Sequence, residues 1–440
     1  MSDLFERAEQ WISHDPDPDA KRELAALVAA AKGGDAKAEA ELKDRFLGPL
    51  EFGTAGLRGL IGAGETRMNR AVVLRTTAGL GSYLLEKDAA AARAKGVVVG
   101  FDGRRMGPEF AEDVACALAA LGIPTLMTPI PCPTPLTAFA VNHLGAVAGV
   151  MVTASHNPPE YNGYKVYWGN GAQIIPPHDT GIAAAIAKQP PADGVARTPI
   201  DEARAKGLAR TYGADVETTY LAEVAKLRVR SDGARDIKIV YTPLHGTGER
   251  LCRRALAEAG FSNVTTVPEQ AEPDGAFPTV AFPNPEEKGA LDLAFALAKR
   301  DGAELVIAND PDVDRLAVAV RNVAGNFVQL TGNQVGALLG HYLLTEGEAA
   351  PNRLALASCV SSPMLGVIAG ELGVHYEETL TGFKWIANRA MELERTRGMR
   401  FVFGFEEALG YTVGPLVRDK DGISAAVLLA EMAAVLRAEG

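Results

Sequence analysis

The sequence predicts an α/β fold of three successive domains, with mixed, mostly parallel sheets covered by helices and active-site loops at the carboxyl ends of strands. Three observations carry this. The chain has 440 residues, more than one hydrophobic core supports at about 150 residues per domain. Short apolar runs recur along it, each followed by a loop rich in Gly, Pro, Asn or Asp and then by helical spacing. That alternation describes parallel strands covered by helices, and it restarts after residue 236 and again near residue 333.

The elements follow in order. Residues 1–47 are rich in Ala, Lys, Glu and Asp, with Leu24, Leu27 and Val28 at helical spacing; they read as helices packed on the first domain. Domain I is assigned to residues 48–213, with strands at 97–102, 123–127 and 146–152, a helix at 108–121, and an alternating strand at 163–168. Domain II, residues 214–325, has strands at 237–241, 264–267 and 304–308 and a helix at 249–259. Domain III, residues 326–440, has a helix at 333–344, strands at 354–360 and 401–405, and a closing helix at 423–437.

Composition narrows the function classes. Hydrophobic residues make up 47% and charged residues 22%, enough apolar content for buried cores. A net charge of -11 argues against nucleic acid or an anionic membrane as partner, while a local Arg/Lys cluster still suits a small anion. The first residues lack the basic start and apolar run of a signal peptide. The apolar stretch 425–436 is short and interrupted by Glu431. Cys116, Cys132, Cys252 and Cys359 form no close pair and read as buried thiols. The expectation is a soluble cytoplasmic protein.

The chemistry is expected in five loops. Thr153-Ala154-Ser155-His156-Asn157-Pro158 follows an apolar strand, and Asn-Pro ends regular structure there, which puts Ser155 in a turn at the strand's carboxyl end as a nucleophile or a phosphate carrier. Asn309-Asp310-Pro311-Asp312-Val313-Asp314-Arg315 offers three carboxylates at alternate positions, suited to a hard cation. Magnesium is one reading and calcium another, but Arg315 stands where an EF-hand loop needs glycine and the flanks read as strands. Phe405-Glu406-Glu407-Ala408-Leu409-Gly410 pairs two glutamates able to accept hydrogen bonds from adjacent sugar hydroxyls. Phe52-Gly53-Thr54-Ala55-Gly56-Leu57-Arg58-Gly59 has backbone freedom and an arginine, without the Gly-Lys-Ser/Thr of a P-loop. Thr381-Gly382-Phe383-Lys384 is a turn feeding a helix, its lysine either a proton-transfer group or a surface residue.

Together these loops resemble the α-D-phosphohexomutase family, from about residue 51 to the end of the chain. Thr-Ala-Ser-His-Asn-Pro is similar to its phosphoserine loop, Asp-Pro-Asp-Val-Asp-Arg to its magnesium loop, and Gly-Phe-Glu-Glu-Ala-Leu-Gly to its sugar loop. Glu160-Tyr161-Asn162-Gly163-Tyr164-Lys165-Val166-Tyr167, Tyr241-Thr242-Pro243-Leu244-His245-Gly246 and Phe282-Pro283-Asn284-Pro285-Glu286-Glu287 resemble the branch of phosphopentomutase-like phosphoglucomutases. The resemblance implies a phosphorylated Ser155 and a magnesium ion held by Asp310, Asp312, Asp314 and the serine phosphate. It places His156, Lys165 and Lys384 among proton-transfer and charge-stabilising groups, and Arg58 and Arg315 on the moving phosphoryl group. Thr381, Gly382, Glu406 and Glu407 are implied to contact the sugar.

The implied reaction moves a phosphoryl group between the 1-position and the 6-position of a hexose, or the 5-position of a pentose. It runs through a sugar bisphosphate, with glucose 1,6-bisphosphate the expected activator and a small sugar phosphate the partner. Glucose 1-phosphate is the favoured substrate, with mannose and pentose phosphates as alternatives. Two departures stand out. Ala408 takes the place of a serine common in typical phosphoglucomutases. The Arg-x-Ser-Gly-Thr-type loop of the family's fourth domain, which grips the non-transferring phosphate, does not occur; this leaves a missing fourth domain, and an impaired sugar-phosphate-binding fragment, as the rival expectation.

Overall fold

Valine-rich and alanine-rich apolar runs do become the central strands. The structure, a computed structural model, describes residues 2–53, 56–230 and 233–439. The chain divides into two compact units: one comprises the chain up to Ile130 plus Leu144–Tyr212, the other Pro131–His143 plus the chain from Gly213 onward.

The first unit holds a sheet of β1 (Leu57–Leu60), β2 (Val97–Phe101), β3 (Thr125–Met127), β4 (Ala148–Val152), β5 (Tyr161–Trp168) and β6 (Ala209–Thr211), in the order β1-β5-β4-β2-β3-β6. Strands β4, β2, β3 and β6 run parallel, β5 runs antiparallel to β4, and β1 antiparallel to β5. Strands β2 and β4 are buried throughout, as expected for strands covered on both faces. Ahead of the sheet lie the helices Ser2–His14, Pro18–Lys32 and Ala36–Arg45. Asp17 and Asp35 cap the second and third by accepting from main-chain N–H groups, and Ala8, Leu24, Val28, Leu42 and Phe46 form their shared core.

The second unit holds two sheets. One has β7 (Ile239–Thr242), β8 (Val264–Thr266), β9 (Leu305–Ala308), β10 (Ala317–Arg321) and β11 (Phe327–Gln329), ordered β11-β10-β9-β7-β8; the other has β12 (Arg353–Ser358), β13 (His375–Thr379), β14 (Arg400–Glu406) and β15 (Gly410–Val413), ordered β13-β12-β14-β15. All three sheets contain the same sub-pattern. Three parallel strands stand in the spatial order third-first-second, and an antiparallel strand returns beside the third: β5-β4-β2-β3, β10-β9-β7-β8 and β15-β14-β12-β13.

The predicted helices fall within two residues of the observed Gly107–Ala120, Gly248–Glu258, Gly332–Glu346 and Gly422–Glu439. The helices Arg70–Lys95 and Thr134–His143 are not foreseen: both are buried along much of their length, so they carry no one-sided apolar stripe. Edge strands such as β13, His-Tyr-Glu-Glu-Thr, are also missed, because they present polar side chains. Cys116, Cys132 and Cys252 are buried as expected, but Cys359 is exposed, since it lies just past the end of β12. Glu431, which interrupts the last apolar stretch, is fully buried. It accepts from Tyr342 Oη at 3.0 Å and from the main-chain N–H groups of Val229 and Arg230 at 2.9 and 3.1 Å, which offsets the burial of its charge. Among the described residues, no helix is long and apolar enough to cross a membrane.

Candidate active site

Three of the five loops sit at the same topological place. The Ser155 loop joins β4 to β5, the Asp310 loop joins β9 to β10, and the paired glutamates join β14 to β15. In every case the parallel run ends there and the chain turns back, at the carboxyl edge where open α/β sheets collect ligands.

In the first unit Ser155 adopts a left-handed backbone, φ 53°, uncommon for a residue with a side chain. A buried network holds it there. The Ser155 N–H donates to Thr153 Oγ1 at 2.8 Å, and Thr153 Oγ1 donates to Asp102 Oδ2 at 2.6 Å. Arg104 donates to the carbonyl oxygens of Ser155 (2.7 Å), Pro158 (2.8 Å), Tyr161 (3.1 Å) and Asn157, so one guanidinium gathers the whole turn. Its Nε lies 3.5 Å from Asp102 Oδ2, and neither side chain is exposed. Ser155 Oγ stands 3.2 Å from His156 Nδ1, and Arg58 Nη1 donates to Asn157 Oδ1 at 2.9 Å. Lys165 is buried on β5, in register with Met151 of β4. Ser155, His156 and Arg58 thus gather about one turn. Thr54 and Ala55 of the glycine-rich loop lie outside the described residues.

In the second unit Asp310, Asp312 and Asp314 are buried and bring carboxylate oxygens within 4.8 Å of one another. Burial, then the charges of Asp312 and Asp314, push the Asp310 carboxyl well above the usual range. Three buried carboxylates this close could hold a metal ion, and their hard oxygen donors fit magnesium. The Arg315 N–H donates to Asp310 Oδ1 at 3.0 Å, and its Nε lies 4.0 Å from both Asp310 Oδ2 and Asp314 Oδ1. Glu286 Oε2 is 3.9 Å from Arg315 Nη1.

The glutamate pair splits. Glu406 is buried and accepts from the Gly382 N–H at 2.6 Å; burial raises its pKa, while Lys420 and the Gly382 amide work against the rise. Glu407 instead turns to Ser361 and Ser358, whose hydroxyls donate to its Oε2 at 3.0 and 3.3 Å. Thr381 is exposed, and Lys384 Nζ lies 5.4 Å from the centre of the Trp385 ring, both at the start of helix Phe383–Arg397.

The Asp310 loop is tied by main-chain bonds to the Glu406 loop, Leu316 N–H to Leu409 O at 3.0 Å, and to the start of helix Gly422–Glu439, Gly422 N–H to Val313 O at 3.1 Å. Gly422 is required by this approach, since a Cβ there falls 2.5–2.6 Å from Arg315 O, Asn309 Nδ2 and Val313 O. Between the two loops stands Lys420, its Nζ 3.4 Å from Asp314 Oδ2 and 3.6 Å from Asp419 Oδ1. Lys420, Asp102, Arg104 and Ser361 are not among the site residues expected from the sequence. Asp102 and Arg104 carried a usable signal, because Asp102 ends the predicted strand 97–102 and Arg104 follows its carboxyl end. Lys420 sits in the charged run Arg418-Asp419-Lys420-Asp421, which reads as a solvated turn.

Three sheets of one plan, with a serine, an acidic triad and paired glutamates at equivalent turns, define an α/β protein of three like domains. Comparison with known proteins gives the class a name. Family models of phosphoglucomutase/phosphomannomutase α/β/α domains I, II and III match residues 49–192, 218–325 and 331–439. Phosphopentomutase of Mus musculus is 41% identical over 451 residues, covering 98% of this chain and 71% of that protein. A Haemophilus influenzae protein named "Probable phosphomannomutase" is 45% identical over 377 residues, covering 85% and 73%. Phosphoribomutase of Saccharomyces cerevisiae is 40% identical over 450 residues, covering 97% and 71%. Among solved structures, a phosphoglucomutase/phosphomannomutase family protein from Burkholderia thailandensis shares the fold, with TM-score 0.69 and 23% identity over 86% of this chain and 75% of that one. The chain belongs to the phosphoglucomutase/phosphomannomutase family, the α-D-phosphohexomutases. It is an enzyme of the mutase class, an intramolecular phosphotransferase.

Proposed function

We propose that the protein is a magnesium-dependent phosphosugar mutase that stores a phosphoryl group on Ser155. The observation that carries this reading is the placement of the Ser155 turn, the buried Asp310/Asp312/Asp314 cluster and the Glu406 loop at the equivalent switch point of each of three like sheets. In the forward half-reaction a sugar hydroxyl attacks the phosphoserine. The Ser155 Oγ–P bond breaks, a sugar O–P bond forms, and the hydroxyl proton passes to a base drawn from His156, Lys165 or Lys384. The bisphosphate then presents its other phosphate to Ser155, and the same bonds exchange in reverse.

Such transfers pass through a loose transition state, so catalysis is positioning and charge neutralisation. Arg58 and Arg315 supply fixed positive charge, and Asp102 with Arg104 holds the serine turn in place. Asp310, Asp312 and Asp314 would hold magnesium, which would supply further neutralisation of developing negative charge. Glu406 and Glu407 hold the sugar hydroxyls, each braced from behind by a different group.

For the sugar, the sequence alone favours glucose 1-phosphate. The relatives named phosphopentomutase and phosphoribomutase and the Ala408 departure move the weight to pentose phosphates, with hexose phosphates second. Glucose 1,6-bisphosphate remains the proposed activator. Intact-mass measurement after incubation with that bisphosphate tests the chemistry: one added phosphate is expected on the wild type and none on Ser155→Ala. A wild type that stays unphosphorylated and turns over no sugar phosphate overturns the reading in favour of a sugar-phosphate-binding protein. A kcat/KM panel over ribose, deoxyribose, glucose and mannose 1-phosphates ranks the substrates.

A further inference from the structure

The middle aspartate of the acidic cluster is held by a residue from a distant part of the chain. Thr134, the first residue of helix Thr134–His143, is fully buried. Its Oγ1 donates to Asp312 Oδ2 at 2.7 Å, and its main-chain N–H donates to Asp312 O at 2.8 Å. One residue therefore fixes both the main chain and the side chain of Asp312. Pro131–His143 belongs to the same compact unit as the cluster, although the chain on either side of it, up to Ile130 and from Leu144 to Tyr212, belongs to the other. The helix is tied down further along: Phe139 packs on Tyr220 with ring centres 5.5 Å apart, and Tyr220 Oη donates to Asp421 Oδ1 at 2.8 Å. Asp421 precedes Gly422, whose N–H bonds the metal loop at Val313.

A hydroxyl fixed on one carboxylate oxygen sets the rotamer of the group and the direction of its other oxygen. Partners of this kind are what orient metal-ligating carboxylates. We propose that Thr134 is a positioning residue for Asp312 as a magnesium ligand, so that the metal site includes a side chain that sequence order assigns to the phosphoserine domain. This rests on the reading of the Asp310/Asp312/Asp314 cluster as a magnesium site.

The test is calorimetric titration of the full chain with MgCl2, read beside its thermal melting curve. Thr134→Val, which keeps the shape and deletes the hydroxyl, is expected to weaken magnesium binding by about 10- to 100-fold, and Thr134→Ser to restore most of the loss. Thr134→Ala gives the same reading if the valine variant melts below the assay temperature. Wild-type affinity in either folded hydroxyl-deleted variant overturns the proposal, as does a serine variant that is folded yet no better than valine. Absence of magnesium binding in the wild type, matching an Asp310→Asn control, strikes the metal-site reading itself and is told apart by that control.

Discussion

The Lys420 ammonium lies 3.4 Å from Oδ2 of Asp314, joining a loop of the last sheet to the acidic cluster of the preceding one. The side chain is 14% exposed, so its charge is only partly screened by water. It also counters the burial-driven rise of the Glu406 pKa. Lys420→Met is expected to lower kcat/KM by about 10- to 100-fold and to move the acid limb of the pH–rate profile upward. Lys420→Arg should recover part of both. An unchanged acid limb in the methionine variant would show that Lys420 does not act through Glu406.

Glu406 gives a pH prediction with a definite sign. Because burial raises its pKa, the folded chain holds this proton more tightly than the unfolded chain does. Stability from this group is full below the ordinary carboxylate value of about 4.3 and falls as pH rises toward the raised value. Glu406→Gln, neutral at every pH and still able to accept from the Gly382 N–H, should melt no lower than wild type at about pH 8. Its KM should rise and lose its acid dependence. A marked fall in melting temperature would mean that the ionised carboxylate stabilises the fold.

Arg104 is the keystone of the serine turn. Arg104→Met strips four carbonyl oxygens of a donor and removes the cation beside buried Asp102, a change that costs about 3–5 kcal/mol. Urea unfolding measures the loss. Beyond stability, the fraction of Ser155 that accepts phosphate from glucose 1,6-bisphosphate should drop even well below the melting temperature. Full phosphorylation of the folded variant would reduce Arg104 to a purely structural role.

Gly422→Ala tests the close approach of the last helix to the Asp310 loop. A methyl group there meets three metal-loop atoms at 2.5–2.6 Å, and the strain should cost about 1–3 kcal/mol. Magnesium affinity should fall with it, because Val313 sits between Asp312 and Asp314. Equal stability and equal affinity would show that the loop yields without harm.

The reach of the sequence follows from how each signal is written in it. Ser155, the Asp310 cluster and Glu406 were legible because each is part of a contiguous string that ends an apolar strand, and the buried strands β2, β4, β7 and β9 announce themselves as unbroken apolar runs. Thr134, Ser361 and Lys420 were not, for each is a single polar residue whose partner lies far along the chain or in an unremarkable turn. The helix Thr134–His143 adds a second obstacle: order along the chain suggests one domain, whereas its packing is with another. The split between Glu406 and Glu407 was hidden as well, because adjacency in sequence says nothing of which way two side chains turn.

The recurrence of one strand order in three sheets has a consequence for how such an enzyme changes over time. A scaffold copied three times offers three equivalent sockets. On the proposed reading one carries the phosphate, one holds the cation and one recognises the sugar. Drift in the socket at residues 405–410 can alter diet while the other two keep the reaction intact. Lineages built on this plan are therefore free to diversify in the sugars they process without reinventing the transfer itself.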